Sequence, residues 1–503
     1  MLPPEDRLVG AQLHRYISDK LYWVLHAPRQ TGKTTFLLSW MREINASGEA
    51  MACYVSVERC QGVQEVERAM PAICSSIRDT ARQFNLPVPE VDSVDASSML
   101  YNILLNWSIL VAPKPLNILF DEVDVLQGEA MISFLRQLRN GFAARGIGKF
   151  PVSIALVGMR DLKDYITASK GGVAPNPGSP FNIKADSAQL SNFCRDDIAH
   201  LFAQRTDENG QQITPEALDY VYKQSNGQPW IVNSLLMRAT MRILDQQNAE
   251  TVDLKHVEEA REQMIEARET HLDALGERLR DSRIRRVVEP VITGELDPNL
   301  GRTNPDVTLA IDLGLVRWSS ETGLAISNPI YAEILTRHLN SGYHDILPPP
   351  SSWEWQNSAG GMDMDKLLKE FKKFWRRHSD IWEEKADYTE AFPHLLLMAF
   401  LQRVINGGGT IEREYAAGRG RTDLTVNYRG ELYIVEIKLV RSYDTPKLVR
   451  EEGLEQIRMY RDRINPAAPA WLIIFDRRPE TKQKTWDERI SWEQDGDITI
   501  LSC

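Results

Sequence analysis

The stretch Leu21-Tyr-Trp-Val-Leu-His26 runs directly into Ala27-Pro-Arg-Gln-Thr-Gly32-Lys33-Thr34-Thr35, and an apolar helical segment follows. An unbroken apolar run of this length reads as a buried strand. A Gly-Lys-Thr turn between a strand and a helix is suited to phosphate. Free N–H groups at the helix start face the anion, the lysine reaches the terminal phosphates, and the hydroxyl can ligate a divalent cation. Ala27, Gln30, Thr31, Gly32, Lys33, Thr34 and Thr35 are therefore candidate nucleotide-binding residues, with Lys33 on the β- and γ-phosphates of ATP and Thr34 on Mg²⁺. Ala27 stands where the usual pattern has its first glycine.

A second apolar strand, Leu116-Asn-Ile-Leu-Phe, ends in Asp121-Glu122-Val-Asp124. Asp121 at the strand tip would hold Mg²⁺ through water, and Glu122 would polarise an attacking water. The runs Ala52–Val57 and Val152–Val157 read as further buried strands, with helix-like segments between them. Alternating β and α predicts a parallel sheet covered on both faces, so the fold class is α/β. From about Arg195 the pattern turns helical, with Ala199–Gln204, Pro215–Gln224 and Pro229–Gln246 forming a helical lid. Several short helices and a hairpin, Gly314–Trp318 with Gly323–Ser327, follow in a winged-helix-like order.

The chain has 503 residues, of which 43% are hydrophobic and 26% charged, a balance that excludes wholesale disorder. No apolar run approaches the ~18 residues of a membrane span, and no signal peptide is expected at the start, so no membrane partner is expected. Five cysteines, an odd number without a CxxC pair, fit a reducing cytoplasm better than a disulfide framework. The net charge of −11 excludes a polycation that coats nucleic acid through its bulk field. Residues 361–503 are nearly neutral, with 24 Lys and Arg against 25 Asp and Glu, and are the part least repelled by a phosphate backbone.

The C-terminal third carries a second constellation. Gly418-Arg-Gly-Arg421-Thr-Asp423 opens one strand of a hairpin, and Leu432-Tyr-Ile-Val-Glu436-Ile-Lys438-Leu forms the next. A spacing of two places Glu436 and Lys438 on one face of their strand. Carboxylates supply the hard oxygen ligands of Mg²⁺ or Mn²⁺, and a neighbouring lysine can orient water or stabilise developing phosphate charge. Both charges sit in an otherwise apolar strand, where an unpaired charge is costly. The reading is of a metal-dependent phosphodiester-cleaving site.

Two resemblances follow from these residues. Over roughly residues 5–340 the chain resembles AAA+-like and STAND-like P-loop ATPases, the group of archaeal ATPases and origin-recognition proteins. Gly158-Met-Arg160-Asp161 after the fourth strand and Ser225-Asn-Gly227-Gln-Pro229-Trp in the lid agree with it. This likeness implies that Pro229 packs near the adenine, and it leaves Arg160 as one candidate arginine finger or an ion-paired surface residue. The C-terminal part resembles the PD-(D/E)xK nuclease superfamily. Asp423 matches its metal-binding Asp and Glu436-Ile-Lys438 its ExK element, while Thr422 replaces the usual Pro. The same resemblance implies a role for Glu390 as a further metal ligand. Gln456-Ile-Arg-Met-Tyr460 matches the Gln-x-x-x-Tyr motif of the RecB-like branch.

The expected organisation is a P-loop NTPase core at 1–190, a helical lid at 191–268, a winged-helix-like domain at 269–340, a linker at 341–362 holding Pro348-Pro-Pro350, and an α/β nuclease-like domain at 363–503. The expected activity is ATP hydrolysis joined to Mg²⁺-dependent cleavage of nucleic acid, DNA in particular, with ATP gating and a defence role as inferences from the fusion. Homo-oligomerisation is compatible with this. The alternative is a STAND-like switch whose nuclease-like module only binds; a translocating motor would further need a ring and an arginine finger. The tryptophans 353, 355, 375 and 382 read either as packing of the nuclease-like domain against its neighbour or as a stacking platform for single strands, and Arg278–Arg286 as either a phosphate-contacting patch or a solvated helix face.

Overall fold

The computed structural model describes residues 7–9, 13–91, 95–147, 149–159, 184–245, 250–267, 270–319, 323–344, 355–357, 361–383, 396–401, 409–412, 424–440, 444–476, 478, 481 and 484–503, apart from 294–300. The chain divides into two compact units, one of residues 1–264 with 312–314, the other of residues 265–311 with 315–503. Among the described residues no helix is long and apolar enough to cross a membrane.

The first unit is built on a six-stranded sheet. Its strands are β1 (Leu8–Val9), β2 (Tyr22–His26), β3 (Met51–Ser56), β4 (Leu116–Asp121), β5 (Ser153–Gly158) and β6 (Lys184–Leu190), in the spatial order β1-β6-β2-β5-β4-β3. Only β1 runs antiparallel; the other five are parallel. β4 is buried along its whole length, as its Leu-Asn-Ile-Leu-Phe-Asp composition demands of a central strand covered on both faces. Along β2 the faces alternate. Tyr22 and Val24 join a core with helices Val66–Gln83, Ala96–Leu110 and Gly128–Phe142, while Trp23 and Leu25 pack with Tyr16 and Trp40 of helices Leu13–Ser18 and Lys33–Ser47. The strands expected from the apolar runs are β2 to β5. β1 and β6 escaped that reading because the first is two residues long and the second, Lys-Ala-Asp-Ser-Ala-Gln-Leu, is mostly polar.

The segment expected as a lid holds helices Arg195–Asn209, Pro215–Ser225 and Pro229–Met237, the last continuing as a π-helix over Arg238–Ile243. Two begin with proline at the first helical position, where its missing N–H costs nothing. Their N-caps are side chains: Thr214 accepts from the Ala217 N–H and Gln228 from the Ile231 N–H.

In the second unit, helices Thr270–Arg278, Ser282–Thr293 and Pro305–Asp312 precede a hairpin of β7 (Val316–Ser319) and β8 (Gly323–Ile326), then helix Pro329–His344. The basic run is answered locally: Arg283 pairs with Asp281 at 2.6 Å, Arg285 with buried Glu289 at 3.0 Å, and Arg286 with Asp306 at 3.7 Å. The mixed C-terminal sheet comprises β9 (Gly409–Glu412), β10 (Leu424–Tyr428), β11 (Glu431–Val440), β12 (Ala470–Asp476), β13 (Ser491–Asp495) and β14 (Ile498–Ser502), ordered β13-β14-β12-β11-β10-β9. Arg429 and Gly430, both at positive φ, make the two-residue turn between β10 and β11. Helix Pro446–Ile464 covers the face holding Ile434, Val440, Leu472 and Ile474. Phe371 and Trp375 of helix Met364–Glu383 stack near Phe475. Trp375 and Trp355, which meets Tyr428 edge-on, thus serve packing, while Trp353 lies outside the described residues.

Candidate functional sites

The phosphate loop departs from β2 with Gln30 and Gly32 in left-handed conformations, at φ 58° and 89°. Helix Lys33–Ser47 then starts without a side-chain cap, which leaves its first N–H groups turned to the loop. Lys33 curls over this loop, and its Nζ donates to the carbonyl oxygens of Ala27 and Pro28, each at 2.8 Å. Burial pulls the Lys33 ammonium below its ordinary pKa, while Asp121 and Asp124 pull it back.

Asp121, at the tip of β4, is 1% exposed. Thr34 Oγ1 donates to its Oδ2 at 2.7 Å, Tyr54 Oη donates to the same oxygen at 3.2 Å, and the Glu122 N–H donates to Oδ1 at 2.9 Å. Glu122 has a positive φ of 60°, so its side chain leaves the strand direction, and Ser56 Oγ donates to its Oε2 at 2.8 Å. Burial raises the Glu122 pKa; the Ser56 hydrogen bond opposes this, and neighbouring Glu58, Asp121 and Asp124 reinforce it. Asp124 is likewise raised, chiefly by burial. A carboxylate oxygen and a hydroxyl at hydrogen-bond distance are the hard donor pair that suits Mg²⁺. Thr34, Lys33, Asp121 and Glu122 thus come together as expected. Tyr54, Ser56 and Asp124 join them without having been singled out; of these, only Asp124 lay within the acidic stretch.

Beside the loop is a cavity of ≈190 Å³, lined by Gly32, Thr35, Phe36, Leu190, Phe193, Leu201 and Pro229 among others. Its walls at the phosphate loop are mostly apolar, and Pro229 is one of the residues that line it. Gly227 lets the chain before helix Pro229–Met237 approach Phe193: its φ is +70°, and a Cβ there would lie 1.8 Å from the Phe193 carbonyl oxygen. Gln228 Nε2 reaches the Gln30 carbonyl at 3.4 Å. Arg7 was not foreseen, because a lone arginine before β1 belongs to no motif. Its guanidinium donates to Thr31 O at 2.8 Å and to Ser191 O, and lies 4.6 Å from the Phe193 ring centroid. Burial lowers its pKa to about 10, and Asp197 counteracts this. Arg160 and Asp161 lie outside the described residues.

In the second unit, Glu436 is fully buried on β11 and Lys438 Nζ lies 3.2 Å from its Oε1. A more exposed carboxylate, Glu452 of helix Pro446–Ile464, stands 3.8 Å from the same Nζ. Gly453 lets that helix approach: a Cβ would come within 2.6 Å of Leu472 and 3.3 Å of Lys438 Cγ. On the same helix Tyr460 Oη shares a buried 2.7 Å hydrogen bond with Thr425 Oγ1 of β10, and Gln456 is partly buried. Leu424 pairs with Val435, the neighbour of Glu436. Asp423 and Glu390 lie outside the described residues. Among the described residues no three His, Cys, Asp or Glu side chains gather as for a metal ion.

Solved structures similar to the chain include the Walker-type ATPase of Pyrococcus abyssi, with 12% identity, a TM-score of 0.47, and 64% of this chain and 93% of that one covered. The ORC2 protein of Aeropyrum pernix has 14% identity, a TM-score of 0.40 and coverage of 66% and 91%. The RuvB Holliday junction branch migration motor of Thermotoga maritima has 13% identity, a TM-score of 0.34 and coverage of 64% and 90%. No protein of curated function matches the chain in sequence. Residues 388–475 match the family model of the PD-(D/E)XK nuclease superfamily, and the first unit holds a sheet with five parallel strands.

Proposed function

We propose that the chain hydrolyses ATP in its first unit and cleaves nucleic acid, DNA in particular, in its second. The observation that carries this reading is that one polypeptide holds both the Lys33–Thr34–Asp121–Glu122 constellation and the buried Glu436–Lys438 pair inside a nuclease-superfamily match. At the first site Lys33 would exchange its two loop carbonyls for the terminal phosphates. Thr34 and Asp121 would hold Mg²⁺, and Glu122, its pKa raised by burial, would take the proton of the attacking water. At the second, Glu436 would hold Mg²⁺ or Mn²⁺ together with Asp423 and Glu390. Lys438 would donate to the phosphate oxygen as charge develops, and Gln456 and Tyr460 would position the helix over the strand. When bound, the divalent ion supplies charge neutralisation at phosphate and a more acidic water.

Gating of the nuclease by the nucleotide, for which the covalent fusion is the support, is part of the proposal. Purified protein would be incubated with supercoiled plasmid and with linear single-stranded DNA in Mg²⁺ or Mn²⁺, with and without ATP, beside Lys33→Ala and Asp423→Ala. Cleavage abolished by Asp423→Ala supports the nuclease, and its response to ATP and to Lys33→Ala supports the gating. Intact ATP hydrolysis without cleavage under any condition would sink the nuclease half.

A further inference from the structure

Arg7 is 9% exposed, yet among the described residues no carboxylate is ion-paired with it. Its Nε and Nη2 are used on neutral acceptors: Nη2 donates to Thr31 O at 2.8 Å and to Ser191 O at 2.6 Å, and Nε to Ser191 O at 3.2 Å. Among the described residues Nη1 has no hydrogen-bond partner. It lies 3.3 Å from where a Cβ on Gly32 would stand, and Arg7 lines the same cavity as Gly32 and Thr35. This mostly buried guanidinium is stabilised by carbonyls, a ring face and the nearby charge of Asp197, and an anion against its free Nη1 edge would add to them. Lys33 engages other carbonyls of the loop, its Nζ on Ala27 O and Pro28 O. Two cations therefore lie at the loop, Lys33 on the Ala27 and Pro28 carbonyls and Arg7 on the Thr31 carbonyl and in the cavity lining.

We propose that Arg7 is a nucleotide-binding residue whose Nη1 donates to the α-phosphate of the bound nucleotide, at the junction of the cavity and the phosphate loop. This rests on the ATP-binding reading above. The same side chain would tie the occupied site to the lid. Its carbonyl acceptor Ser191 is two residues from Phe193, and the Phe193 N–H donates to Gly227 O at 2.8 Å, just before helix Pro229–Met237. A nucleotide that draws the guanidinium toward phosphate therefore pulls on the first contact of the lid.

The test measures affinities of the full chain and of Arg7→Gln and Arg7→Lys for ATP, ADP and adenosine, by competition against a fluorescent ATP analogue. Arg7→Gln should weaken ATP and ADP on the order of 10- to 100-fold, the worth of one charge-assisted hydrogen bond, and leave adenosine unchanged. Arg7→Lys, which keeps the charge without the fork, should fall between, and it serves as the variant if Arg7→Gln does not fold. Equal losses for ATP and adenosine would make Arg7 a structural clamp and overturn the proposal, as would unchanged ATP affinity. If the unaltered chain binds no nucleotide, the ATP reading itself fails, an outcome distinct from either.

Discussion

The Thr34 hydroxyl donates to Asp121 at 2.7 Å, closing a contact between residues 87 positions apart in the chain. The two tips, of the helix after β2 and of β4, are adjacent only because β5 alone separates β2 from β4 in the sheet. Replacing Asp121 by Asn keeps the shape but removes the charge. ATP hydrolysis should fall ~100-fold or more, as a lost cation ligand implies. A phosphate-release assay checks this, with circular dichroism to confirm folding.

Glu122 has a testable conflict between stability and turnover. Its carboxyl is raised by burial, as is that of Asp124, so the folded state keeps a proton to higher pH than the unfolded chain does. The stability this gives is complete below the ordinary carboxylate range and is lost as pH rises through the raised folded values. Glu122→Gln should therefore raise the melting temperature at pH 7.5 relative to the parent, and the gain should shrink toward pH 4. Hydrolysis should fall ~10²–10⁴-fold. A gain independent of pH would contradict the assignment.

Gly227→Ala should separate helix Pro229–Met237 from Phe193. The new methyl group would collide with the Phe193 carbonyl, in a backbone conformation L side chains rarely adopt. Strain and overpacking together imply a loss of ~2–4 kcal/mol, read by chemical denaturation of the full chain.

Lys438→Met should leave the fully buried Glu436 carboxylate without its nearest cation. A loss of ~1–3 kcal/mol is expected, moderated because Lys438 keeps some solvent contact. The double variant Glu436→Gln/Lys438→Met should regain much of that stability and none of the cleavage. Additive destabilisation would show that the two side chains do not interact.

Tyr460→Phe and Thr425→Val each remove one partner of a buried hydrogen bond between the helix and β10. Each should cost ~1–3 kcal/mol, and the pair less than their sum by at least ~0.5 kcal/mol. A double-mutant cycle in urea measures the difference.

The sequence by itself determined the parts whose signal is local. Leu21–His26 before Gly32-Lys33-Thr34, and Leu116–Phe120 before Asp121, are apolar strands that end in polar chemistry, and a strand buried on both faces must be written that way. A spacing of two likewise fixed Glu436 and Lys438 on one face of β11. Tertiary structure decided the partners, because hydrogen bonding across a sheet does not follow chain distance. Tyr54 reaches Asp121 only because β3 lies beside β4 in register, with Ser56 opposite Asp121. Arg7 reaches the phosphate loop only because two residues of β1 pair with the polar strand β6, and neither has a hydrophobic period to announce it. Which face of β11 would be closed was also settled by packing, since Gly453 is the point where helix Pro446–Ile464 can press onto Leu472 and Lys438. Periodicity records what a strand or helix must bury, whereas a site records what several of them bring together.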